Sequence, residues 1–108
     1  LKGKILLITF PFTDLTSKKL RPALVLNEDD KDVIVVFVSS RISKAHREDV
    51  LLKKENTEFK LTGLKVDSFI RISKIATLSK KLIVGELGEI GPKLKEEVNR
   101  KIIETLKI

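Results

Sequence analysis

An arginine and a serine at facing ends of two neighbouring apolar strands can hold a phosphate between them. In this chain of 108 residues those two are Arg21 and Ser39. Residues 9–26 read TFPFTDLTSKKLRPALVL: an apolar strand ends, a polar loop with two lysines follows, and Arg21-Pro22 leads back into apolar sequence. Pro11 and Pro22 fix φ near the two ends of that loop. Arg21 stands where loop becomes strand, and the donor fork of a guanidinium matches phosphate oxygens. Residues 32–39, DVIVVFVS, read as the next strand and end on Ser39. In an antiparallel pair the start of one strand lies beside the end of the next, so Arg21 meets Ser39. Lys18, Lys19, Ser40 and Arg41 flank the pair, and Phe12, Thr13, Thr16 and Ser17 belong to the first loop. Residue type alone favours a plainer account, in which Arg21 is a surface arginine, solvated or paired with Asp14.

Other groups with chemical potential are fewer. His46, in SKAHRED, is the sole histidine and titrates near neutral pH, which suits a general acid or base and equally a solvated loop residue. Asp29-Asp30 sit with Glu28 and Asp32 in an acidic turn that reads as solvated surface, because metal ligands must converge in space. GELGEIG has three glycines, but Glu86 and Glu89 among them repel phosphate, so it reads as bent strand. With no cysteine there is no disulfide and no thiolate, and one histidine leaves a structural zinc site without ligands.

The elements that must position these groups follow from the apolar pattern. Residues 4–10 (KILLITF), 22–27 (PALVLN) and 32–39 read as three strands of a meander with one long first connection. The unbroken run VIVVFV marks a strand covered on both faces. Residues 40–47 read as loop, 49–53 as a short strand, and 54–65 as a charged loop with a turn at Thr62-Gly63. In residues 67–75 period two puts Ile70 and Ile72 on one face, and Phe69, Arg71 and Ser73 on the other. Residues 76–81 read as a polar turn, and 82–90 as a strand that Gly85 and Gly88 bend or bulge. Gly91 and Pro92 open a helix whose stripe is Leu94, Val98, Ile102 and Leu106, widened by Ile103, with Glu96 and Glu97 early and Lys107 late to match the dipole. The expected fold is mainly β: five or six short strands in a small barrel or strongly bent sheet, closed by one C-terminal amphipathic helix.

The totals fit one domain with a core of its own. Lys and Arg number 22 against 15 Asp and Glu, for a net charge of +7. Such an excess favours an acidic partner such as nucleic acid. Abundant Lys, Glu and Ile, with no Cys, Met, Trp or Tyr, is also the bias of heat-adapted proteins, which supplies lysines for other reasons. No apolar run approaches the roughly 18 residues of a membrane span, and no basic-then-apolar leader precedes Ile5, so the cytoplasm is the expected location.

In this order FPFTD, RPALVL, VSSRIS and DSFIRISKIATLSKKLIVGELGEI, followed by a final helix, resemble the PemK/MazF toxins of type II toxin–antitoxin systems over nearly the whole chain. The resemblance implies an SH3-like β-barrel with a C-terminal helix, acting as a homodimer. It implies a cofactor-free, metal-independent endoribonuclease that cuts single-stranded RNA at short sequences, and a cognate antitoxin with a disordered acidic tail. By the same resemblance Arg21 and Ser39 are the catalytic pair and residues 12–19 the substrate-binding loop. In some relatives a late-strand arginine is followed two residues later by aspartate; here the positions are Arg71 and Ser73. The implied reaction is attack of a ribose 2′-hydroxyl on its own phosphate, leaving a cyclic phosphate and a free 5′-hydroxyl. Arg21 suits stabilisation of the phosphorane and Ser39 its orientation. Asp14, Asp67 and His46 are the candidates for acid or base. The alternative is a barrel of the same shape without catalysis, either a gyrase-poisoning toxin or a module that binds RNA or DNA.

Overall fold

The computed structural model describes residues 1–10, 19–41 and 45–108. Six strands are formed: β1 (Lys4–Phe10), β2 (Lys19–Glu28), β3 (Asp32–Ser39), β4 (Val50–Leu52), β5 (Ser68–Ser79) and β6 (Ile83–Glu89). A helix, α1 (Pro92–Leu106), ends the chain, and short 3-10 turns occupy Phe59–Thr62 and Lys80–Leu82. The strands make one antiparallel sheet in the order β4-β5-β3-β2-β1-β6. Among the described residues the end strands β4 and β6 are not hydrogen-bonded neighbours, so of the barrel or strongly bent sheet expected it is the bent, curled sheet that forms. Among the described residues no helix is long and apolar enough to cross a membrane.

Both faces of the central strands are buried, as VIVVFV leads one to expect. On one face Ile5, Leu24, Val36, Val38, Ile70 and Ile72 pack beneath Leu94 and Val98 of α1 and Phe59 of the first 3-10 turn. On the other, Leu6, Ile8, Phe10, Ala23, Val25, Val33 and Val35 cluster, with Ala76, Leu78 and Ile83 packed against them from strands on both flanks of the same sheet. Residues from both flanks meet over the centre when the sheet curls on itself. The curl has a visible hinge. Val36 pairs with Ile75 but Phe37 with Arg71, which leaves residues 72–74 of β5 without partners on β3. Extra residues on one strand bend it and increase its twist.

Three local expectations are corrected. Residues 76–79 continue β5 instead of turning, because β3 offers partners along its whole length, down to Asp32 opposite Ser79. Strand β2 begins at Lys19, because Thr9 and Phe10 of β1 pair with Leu20 and Lys19. The helix stripe is buried at Leu94 and Val98 and partly at Ile102, but Ile103 and Leu106 are exposed.

The helix dipole is also met differently from the expected charge pattern. No acidic residue lies in the first turn of α1, and Lys107 is its C-cap, beyond the last helical residue. The negative charge comes from Glu58, buried, whose carboxylate accepts from the Lys93 amide at 3.0 Å and the Leu94 amide at 2.8 Å. Gly91 is extended at the cap, and a Cβ there would stand 2.5 Å from the Glu58 carboxylate. The glycine therefore makes room for a capping group supplied from a distant loop. Replacing Glu58 with alanine strands two helix N-terminal amides, and we expect a loss of about 2 kcal/mol in urea unfolding.

Candidate active site

Arg21 and Ser39 fall on the sheet face that carries the second cluster. Each keeps the parity of its strand: Arg21 follows Ala23 and Val25, and Ser39 follows Val35 and Phe37. Ala23 pairs with Phe37, and Arg21 and Ser39 lie two residues beyond that last pair of the two strands. Both line a cavity of about 270 Å³, together with Phe10, Phe37, Val38, Arg41, Arg71 and Lys74. Phe10 and Phe37 meet edge to face, with ring centroids 4.5 Å apart, at the end of the second cluster. The cavity is thus the mouth of that core, with aromatic rings in its wall and cations around it.

Charge is lopsided there. Three arginines and a lysine line the cavity, and among the described residues no carboxylate does. Among the described residues Arg21, Arg41 and Lys74 form no salt bridge. Unpaired cations beside an apolar wall attract phosphate more strongly than the same charges in open water. The Ser39 hydroxyl accepts a hydrogen bond from the Arg41 amide at 3.2 Å, so its own proton is left to donate elsewhere.

Arg71 differs from the other three cations. It is buried, its Nη1 pairs with the Asp49 carboxylate, and its Nη2 donates to the Arg41 carbonyl at 2.8 Å. Its guanidinium also lies 5.1 Å from the centroid of the Phe69 ring. The sequence placed Arg71 on the face opposite Ile70 and Ile72 but gave no sign that Asp49 would neutralise it. The register shows why: Val50 pairs with Ile70, so the residue before Val50 lies beside the residue after Ile70.

The remaining candidates are distributed as follows. Phe12, Thr13, Asp14, Thr16, Ser17 and Lys18 lie outside the described residues. Lys19 is exposed, opposite Phe10. Ser40 and Asp67 line a separate cavity with Lys54, whose amide donates to Asp67 at 2.8 Å. His46 is exposed and does not line the cavity of Arg21 and Ser39; its amide donates to Asp49 at 2.7 Å. Ser73 is exposed and lies beside Glu48. The Glu48 carboxyl is held below its ordinary value by its own backbone amide first and by Ser73 second. Glu48 lines yet another cavity, with Arg47 and Lys101. In the acidic turn the Asp32 and Lys31 amides both donate to Asp29 and lower its pKa, and Glu28 pairs with Lys80 and the N-terminal amine. Among the described residues no three His, Asp or Glu side chains converge as metal ligands would. A further cavity of about 280 Å³ lies on the helix side, between Leu24, Ile90 and Val98, with Lys2 and Lys95 beside it. It gathers no arginine and no hydroxyl.

Comparison with known proteins identifies the family and the fold. The family of PemK-like, MazF-like toxins of type II toxin–antitoxin systems matches residues 1–106. No curated protein sequence matches the chain. Among solved structures, the Mycobacterium tuberculosis toxin MazF-mt6 is similar with a TM-score of 0.76 at 14% identity, over 97% of each chain. MazF from Deinococcus radiodurans is similar with a TM-score of 0.73 at 21% identity, over 99% of this chain and 96% of that one. A mycobacterial endoribonuclease in complex with its cognate antitoxin gives a TM-score of 0.72 at 19% identity, over 100% and 95%. At these identities the structural likeness speaks for the fold, and the family match over 106 of 108 residues speaks for descent. The chain is a member of the PemK-like, MazF-like toxin family of type II toxin–antitoxin systems.

Proposed function

We propose that this chain is a sequence-selective endoribonuclease toxin that cuts single-stranded RNA without a metal ion, by attack of a ribose 2′-hydroxyl on the adjoining phosphate. The observation that carries the reading is the common cavity of Arg21 and Ser39, with Arg41 and Lys74 beside them and, among the described residues, no carboxylate. In the proposed reaction the 2′-oxygen bonds to phosphorus, the bond to the 5′-oxygen breaks, and a 2′,3′-cyclic phosphate and a 5′-hydroxyl result. Arg21 neutralises the charge that gathers on the phosphorane oxygens. Ser39 donates to a non-bridging oxygen and fixes the phosphate in line. Neither Asp67 nor His46 lines the cavity, which leaves Asp14 as the sequence candidate for taking the 2′ proton.

The proposed setting is cytoplasmic, as a homodimer inhibited by a cognate antitoxin. A net charge of +7 suits both an acidic antitoxin segment and RNA. Incubation with a long single-stranded RNA in EDTA tests the reading. Discrete fragments ending in cyclic phosphate are expected. Intact RNA that is nonetheless shifted on a gel, with the shift lost in Arg21→Ala, would reduce the protein to a nucleic-acid binder.

A further inference from the structure

We propose that Asp49 and Arg71 are positioning residues that act through the Arg41 backbone on the Ser39 hydroxyl. This rests on the nuclease reading for its catalytic consequence, but the contacts stand independently of it. Asp49 pairs with Nη1 of Arg71, Nη2 of Arg71 holds the Arg41 carbonyl at 2.8 Å, and the Arg41 amide donates to Ser39 Oγ at 3.2 Å. One carboxylate thereby reaches the serine through a guanidinium and a single backbone residue. With one lone pair of Oγ engaged by Arg41, the serine proton turns away from that amide and is free to meet a phosphate oxygen.

Asp49 also receives the His46 amide at 2.7 Å, so the same carboxylate secures Arg41 through Arg71 and His46 directly. Arg71 itself has little freedom. It sits opposite Phe37 in the β3–β5 ladder and against the Phe69 ring. Stability alone accounts poorly for such a pair. The Asp49 side chain is 1% exposed, and among the described residues its buried Oδ1 has no hydrogen-bond partner. A buried ion pair with an unmet oxygen stabilises a fold weakly, if at all. Its contribution is orientation: it removes the motion of Arg41 that would let the Ser39 hydroxyl swing.

The test uses the whole chain and a short RNA spanning one of the mapped cuts. Arg71→Lys keeps the charge but cannot reach Asp49 and the Arg41 carbonyl together. It is expected to lower kcat about 10- to 100-fold with KM within about threefold, the size of effect a small misplacement produces. Combined with Ser39→Ala, it should be no slower than Ser39→Ala alone, because the two act in one chain. Additive losses would overturn the relay. Asp49→Asn, which keeps volume and an acceptor, should show the same pattern if Arg71→Lys does not fold. Amide NMR separates the relay from the nuclease reading. In Asp49→Asn the Arg41 amide signal should move while those of the Asp29–Asp32 turn stay in place. An unmoved Arg41 signal overturns the relay whatever the enzyme does. A moved signal in a protein that cuts no RNA supports the relay and refutes the nuclease.

Discussion

Replacing Arg21 with alanine is expected to slow RNA cleavage by more than 100-fold while the melting temperature stays within about 3 °C. The first half follows from charge. A phosphorane carries more negative charge than the phosphodiester it comes from, and removing one donor aimed at developing charge costs on the order of 10² to 10³ in rate. The second half follows from surroundings. Arg21 is half-buried at the edge of a cavity and forms no salt bridge among the described residues, so its loss leaves no counter-ion stranded. Binding should weaken far less than rate. An RNA with a 2′-deoxy sugar at the cut site lacks the nucleophile and measures binding alone. Arg21→Lys should recover only part of the rate, because an ammonium restores the charge without the planar fork. Normal cleavage by Arg21→Ala would mean that the cavity of Arg21 and Ser39 is not where RNA is cut.

How far the site was legible depends on how local its geometry is. Arg21 and Ser39 share a cavity because two consecutive strands pair antiparallel, and that follows from the apolar runs and the short acidic turn between them. The exact bounds of β1 and β3 were legible for the same reason: Gly3 and Pro11 bracket one, and the acidic turn opens the other. The Asp49–Arg71 pair was not legible. It needs β4 to lie against the outer side of β5, and nothing in a three-residue strand announces its neighbour. Glu58 is a similar case. Its capping of Leu94 spans 36 residues, whereas the sequence pattern set Gly91 at the cap and left the dipole to Glu96 and Glu97 within the helix. The turn expected at residues 76–81 forms only from Lys80, and its first four residues are strand for a related reason. IATLS is too polar to look like core, yet it alternates and finds a full set of partners on β3. Pairing across the sheet overrode local composition.

Glycines 85 and 88 read alike in the sequence but should behave oppositely when mutated. Both sit in β6 beside register shifts against β1: Ile5 pairs with Gly88 and Leu6 with Glu86, then Leu7 pairs with Gly85 and Ile8 with Ile83. The skipped residues Leu87 and Val84 are exposed, as bulge residues are. The strand is therefore bulged as expected, but bulging is not what requires glycine at both places. A Cβ on Gly88 would stand 2.2 Å from the Leu61 carbonyl oxygen and 2.5 Å from the Thr62 carbonyl carbon. These are backbone atoms of the 3-10 turn at Phe59–Thr62, which the Thr62 hydroxyl ties back to the Phe59 carbonyl at 2.6 Å. They cannot step aside as a side-chain end would. From the other side, Gly63, at φ 72°, would drive a Cβ to 2.0 Å from the Leu87 carbonyl oxygen, so the two backbones touch at both glycines. We expect Gly88→Ala to cost about 3 kcal/mol and to lower the melting temperature by more than about 10 °C. A Cβ on Gly85 meets nothing within 4 Å, and alanine there should raise stability by about 0.5 kcal/mol through the restricted unfolded chain. Gly88 pairs with Ile5, at the opposite end of β1 from Phe10 and the cavity. Below its reduced melting temperature, Gly88→Ala should therefore cut RNA at close to the normal rate. If it melts like the parent protein, the close approach of β6 to the 3-10 turn is not part of the folded molecule.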